Sequence, residues 1–210
     1  MEELIEKYSS EYYSIFGKGE YEEDINRQSV RLFVERFSLS NSEYQSRVKA
    51  QLGLMFKNRS TTVPELSFQN SFEEMPGVGG ILMEKIEYEA LQLIAKRNGD
   101  ESIFVIENDF DRSKSLPNIR LKIPYRTSWE ELQTGGTISS SLFKMPANEY
   151  FVFGNSGTWG KYVASDYHFP IYLWGFTPDQ AVIFRSYFAP DMEEQMELRQ
   201  SASEVFRASK

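Results

Sequence analysis

The chain reads as an α+β protein: a helical N-terminal half packed on a mostly antiparallel sheet, with further helices at the C-terminus. Three observations predict this. Apolar residues recur at helical spacing up to residue 98, short apolar or alternating runs follow between 103 and 174, and Pro178 opens a last helical stretch. The strands are separated by turns too short for crossover helices, which favours antiparallel pairing. At 210 residues a single domain is expected. It divides into an acidic helical arm (1–24), a helical part (25–98), a sheet part (100–176) and C-terminal helices (178–208).

In the helical part, Val30, Phe33, Val34 and Phe37 stand at i, i+3, i+4 and i+7 and make one helix face. Ser38 to Ser42 interrupts, and Asn41 or Ser42 can cap a new helix. Its apolar stripe is Tyr44, Val48, Leu52, Met55 and Phe56. Residues 60–80 read as irregular, punctuated by Pro64, Pro76 and Gly77-Val78-Gly79-Gly80. Leu82, Ile86, Ala90, Leu93 and Ile94 mark a third helix, which Asn98-Gly99 ends with a left-handed cap.

In the sheet part, Ile103-Phe104-Val105-Ile106 reads as a buried strand. Ile119, Leu121 and Ile123, alternating with Arg120 and Lys122, read as a half-exposed one. Ser128 to Leu132 is a short helix capped by Thr127 or Ser128, and Ile138 to Met145 is expected as a strand. Tyr150 to Phe153 and Trp159 to Ala164 flank Gly154-Asn155-Ser156-Gly157, residues suited to a tight hairpin. Ile171 to Trp174 gives a further strand. Pro178 opens a helix through Phe188, Pro190 stops it, and 191–208 form a polar terminal helix.

Composition narrows the function classes. There is no Cys and one His, which removes disulfide frameworks, thiol nucleophiles and paired-histidine metal motifs. No cofactor is expected. The formal net charge is −8, so nucleic acid is repelled at distance. Residues 1–24 hold eight acids and two bases, and residues 25–59 seven bases and two acids. The acidic arm and the body are expected to neutralise the basic stretch within the fold. The N-terminus, Met1-Glu2-Glu3-Leu4-Ile5-Glu6-Lys7, lacks the basic start and apolar run of a secretory signal. No apolar stretch approaches the about 20 residues that span a bilayer. A cytoplasmic protein that meets no membrane is expected.

Candidate chemical motifs are incomplete. Gly77-Val78-Gly79-Gly80 lacks the Lys-Ser/Thr of a phosphate loop and follows Glu73 and Glu74, so it reads as a connector. Asp109-Phe110-Asp111 starts like a calcium loop, but Lys114 and Arg120 occupy the positions that need Gly and Glu. Asp166-Tyr167-His168 brings the lone imidazole near a carboxylate, an arrangement that serves general-base hydrolysis given a nucleophile. The bland alternative is a loop histidine between strands. Adjacent acids such as Glu73-Glu74 and Glu130-Glu131 read as solvated faces.

Aromatic density from Tyr150 to Phe188 stands out. Alternation puts Phe151 and Phe153 on one strand face, Tyr150 and Val152 on the other, and Tyr172 with Trp174 on a shared face. A sheet apolar on both sides needs helices or a partner over each. Tyr and Trp also anchor interfaces, so Trp159, Tyr162, Asp166, Tyr167 and Trp174 are the candidate partner-binding residues.

The run Tyr150-Phe151-Val152-Phe153-Gly154-Asn155-Ser156-Gly157-Thr158-Trp159-Gly160-Lys161-Tyr162, followed by Pro170-Ile171-Tyr172-Leu173-Trp174, resembles the hairpin of SMI1/KNR4-type (SUKH) proteins. The upstream Leu-Pro helix start and Asn-Gly-Gly helix end of that family are not evident. Many such bacterial proteins are immunity proteins that neutralise a toxin domain. The resemblance implies a non-enzymatic protein-binding module whose acidic surface meets a basic toxin or nuclease domain. The alternatives are the hydrolase with Asp166 and His168, and an assembly subunit using the amphipathic helices at 30–57 and 81–97.

Overall fold

The computed structural model describes residues 1–10, 23–57, 68–78, 82–108, 118–143, 149–164 and 171–188. The fold is α+β, built on one six-stranded antiparallel sheet. Its strands are β1 (Glu73–Val78), β2 (Ser102–Glu107), β3 (Arg120–Pro124), β4 (Tyr150–Gly154), β5 (Trp159–Ala164) and β6 (Ile171–Phe176). They lie in the order β1-β6-β5-β4-β2-β3.

The helices are α1 (Glu2–Ser10), α2 (Glu23–Phe37), α3, α4 (Lys85–Asn98), α5 (Trp129–Leu132), α6 (Thr137–Phe143) and α7. Helix α3 runs in three pieces, Asn41–Glu43, a π turn Tyr44–Val48 and Lys49–Met55. Helix α7 opens as a 3₁₀ turn, Pro178–Gln180, and continues as Ala181–Phe188.

Strand alternation sorts the core into two clusters, one on each sheet face. Ile103, Val105, Tyr150, Val152, Trp159, Val163, Trp174 and Phe176 join side chains of α1, α2, α4, α5, α6 and α7 in the larger cluster. Phe104, Ile106, Phe151, Phe153 and Tyr162 join Tyr44, Val48 and Met55 of α3, with Leu39, Phe56 and Phe68, in the smaller. The chain therefore covers both faces of its own sheet.

Local chemistry accounts for the element ends. Ser128 accepts from the Glu131 N–H while the Glu131 carboxylate accepts from the Ser128 N–H, closing a capping box on α5. Gly99 ends α4 at φ +72°, a conformation a Cβ would strain. Gly160 and Gly175 face each other across β5 and β6. A Cβ on Gly175 would strike the Phe68 ring, so the missing side chains form the slot that seats Phe68. Phe68 lies 4.4 Å from the Phe56 ring, centroid to centroid.

Four expectations change. Residues 138–143 are helical within α6; tertiary burial of Ile138, Leu142 and Phe143 at i, i+4 and i+5 prevails over the strand-like composition. The stretch expected to be irregular contains β1, which pairs with β6 despite Pro76 because β1 is a sheet edge. Ser40, rather than Asn41 or Ser42, caps α3 by accepting from the Glu43 N–H. The third helix begins at Lys85, with Leu82 packed ahead of it. Helices α2 and α5, the 154–157 hairpin and the Gly99 cap stand where the sequence puts them.

Candidate functional site

The aromatic residues expected to anchor a partner are placed inside. Trp159, Tyr162 and Trp174 are each at most 1 % exposed. Trp159 and Trp174 pack on Phe184 of α7. Tyr162 faces Phe151 under α3. Their large area serves the two cores, which corrects the expectation of an aromatic surface at these positions. Asp166, Tyr167 and His168 lie outside the described residues, as do Gly79, Gly80, Asp109, Asp111 and the terminal helix expected over 191–208.

Two buried polar nodes flank the hairpin. At its turn, the Asp100 carboxylate accepts from the Ser156 N–H and, at 2.9 Å, from Trp159 Nε1. Asn155 Oδ1 accepts from the N–H groups of Glu101 and Ser102 at 2.7 and 3.0 Å. Gln51 of α3 donates to the carbonyls of Gly154 and Asn155. Burial raises the Asp100 pKa, and the bonds from Trp159 and Ser156 offset part of that rise. Gly154 is required here because a Cβ would collide with the Asp100 carboxylate.

The second node is Lys161, whose side chain is 2 % exposed. Its Nζ donates to Glu87 Oε1 at 2.7 Å and to the Leu82 carbonyl at 3.0 Å. The Tyr172 and Trp174 rings lie 4.7 and 5.2 Å from it. Burial holds its pKa below the usual lysine value, against the opposing pull of Glu87. Both nodes are held by internal partners and brace the scaffold. Among the described residues, no three His, Cys, Asp or Glu side chains group as metal ligands.

The surface is more informative. Three arginines of the basic stretch are neutralised, by the acidic arm and by the body of the fold. Arg27 pairs with Glu6 at 3.1 Å, Arg31 with Glu2 at 2.9 Å, and Arg36 with Glu131 at 2.6 Å. Two helices nonetheless show large apolar side chains to solvent. Ile25 and Leu32 of α2 are 55 and 58 % exposed, and Ile86 and Leu93 of α4 are 81 and 54 % exposed. Each pair is spaced i, i+7, which places both members on one outward line. Val182 of α7 is also largely exposed.

The α2 pair also leaves a signal in the sequence, outside the main apolar stripe. Ile25 and Leu32 are out of phase with the Val30, Phe33, Val34 and Phe37 stripe, so one helix cannot bury both sets. Compared with known proteins, the chain matches no family model, no curated protein and no solved structure.

Proposed function

We propose that this protein is a non-enzymatic protein-binding module, with neutralisation of a basic toxin or nuclease domain as its role. The observation that supports this reading is the pair of apolar lines on α2 and α4, set on a scaffold whose own core is already filled on both sheet faces. Exposed apolar side chains grouped on rigid helices mark contact surfaces more than scattered ones do. The toxin-neutralising role rests on the hairpin's resemblance to immunity proteins, and the net charge of −8 suits a basic partner by speeding encounter.

The test is affinity capture from the source cell with four baits: the native chain, L32D, L93D and the double variant L32D/L93D. The native bait is expected to retain a partner that at least one variant loses, with all four baits melting alike. That partner is expected to be toxic when expressed alone and harmless when expressed together with this chain. Identical capture by the native and doubly substituted L32D/L93D baits overturns the reading.

A further inference from the structure

Helix α2 packs by Val30, Phe33, Val34 and Phe37, with Asn26 buried beside them. At 100° per residue its outward side then carries two neighbouring rows. One is apolar: Ile25 and Leu32. The other is polar and acidic: Asp24, Gln28 and Glu35, spaced i, i+4, i+11.

The charges of this layer separate by sign. Arg27, Arg31 and Arg36 each hold a carboxylate from outside α2, on Glu6, Glu2 and Glu131 respectively. Glu23, Asp24 and Glu35 are exposed, and among the described residues their side chains enter no ion pair or hydrogen bond. Within that set the cations of α2 are satisfied internally, while its remaining charges are negative. Glu23 and Asp24 also lie in the first helical turn, where the helix dipole favours carboxylates.

The exposed apolar residues of α4 and α3 lack this combination. The Ile86 and Leu93 line of α4 has Lys85, Glu89, Lys96 and Arg97 around it, three cations to one carboxylate. The outward side of α3 shows one large apolar residue, Leu54, among the cations Arg47 and Lys49.

We infer that the outward face of α2 is the docking surface, and that its occupant is a basic amphipathic segment of a partner protein. Ile25 and Leu32 would meet the segment's apolar row, and Asp24 and Glu35 its Lys and Arg side chains. This rests on the protein-binding reading and assigns that reading its surface and the chemistry of its partner.

The probe is a synthetic helical peptide with leucines at i, i+3, i+7 and lysines on the adjacent row. It is labelled for fluorescence anisotropy and titrated with the full chain, and its acidic counterpart, with Glu for Lys, is the control. The basic peptide is expected to bind, and to bind at least about tenfold more tightly than the acidic one. D24K/E35K is expected to weaken it at least about tenfold, L32S to weaken it about fivefold or more, and L93D to leave it within twofold. Binding should also fall as salt rises, since the charges are exposed.

Failure of the basic peptide to bind, or unchanged affinity in D24K/E35K, overturns the assignment. If L93D instead abolishes binding, the docking surface moves to α4 and the module reading stands. Failure of that reading itself is read separately, from identical capture by the native and L32D/L93D baits.

Discussion

Lys161 illustrates how one buried cation organises its surroundings. It sits on β5 in the middle of the sheet, and its amine reaches the Leu82 carbonyl and Glu87. Glu87 also accepts from the Glu84 N–H, which closes the N-terminal capping box of α4. One carboxylate therefore ties a strand and a helix start together. Removing it leaves a buried charge unpaired, so E87Q is expected to cost about 3–5 kcal/mol of unfolding free energy. K161M keeps the volume and leaves Glu87 able to turn to solvent, so it should cost less. The double variant K161M/E87Q should be more stable than E87Q alone, and urea unfolding of all four proteins measures this coupling.

At Asp100 burial outweighs the hydrogen bonds from Trp159 and Ser156 and raises the pKa. The folded state then holds its proton more tightly than the unfolded chain. This contribution to stability is complete below the unfolded value of about 4 and is lost as pH rises through the raised folded value. In D100N that slope disappears. The stability difference, native minus D100N, is therefore expected to fall as pH rises above about 4 and then level off. Equilibrium denaturation across that range gives the curve; a difference that rises with pH contradicts the assignment.

At the scale of elements, α3 and the Phe68 segment together make the second core. The Gly160 and Gly175 pair opens the sheet surface, and the Phe68 ring enters that opening beside Phe56 and Met55. F68A would leave a void that backbone glycines cannot fill, at an expected cost of about 3–5 kcal/mol. G175A would displace the ring and is also expected to destabilise. Thermal melts of the two variants check this, and a G175A melt equal to the native one would argue against the slot. The sequence made α2, α5, β2 and the β4–β5 hairpin legible because their cues are local: face periodicity, a Ser-x-x-Glu box, a short apolar run, and a turn of Gly, Asn and Ser. It misdirected at α6, where Ser139, Ser140 and Ser141 obscure a helix whose apolar residues meet the core at i, i+4 and i+5. It missed β1, because Pro76 and Gly77 look like loop unless the strand is known to be an edge.

At the scale of the whole molecule, the surplus of negative charge is not spread evenly. The acidic arm's Glu2 and Glu6 neutralise Arg27 and Arg31 as expected, which leaves Glu23, Asp24 and Glu35 as the exposed carboxylates that the proposed basic partner would meet. Among the described residues, no helix is long and apolar enough to cross a membrane.

The amino-acid sequence by itself determined the α+β class, the antiparallel pairing and the two-sided alternation of the strands, since these follow from the period of apolar residues and from short turns. Only the tertiary structure decided which aromatic residues are core and which side chains remain outside. Trp159, Tyr162 and Trp174 combine area with a polar tip wherever they stand. Whether they anchor a partner or fill an interior depends on what packs above each strand face. Here α7 closes over Trp159 and Trp174, and the α3 layer over Tyr162, contacts between segments distant in the chain that no local pattern records. Ile25 and Leu32 stay in water for the converse reason: the helix has one buried side, and Val30, Phe33, Val34 and Phe37 occupy it.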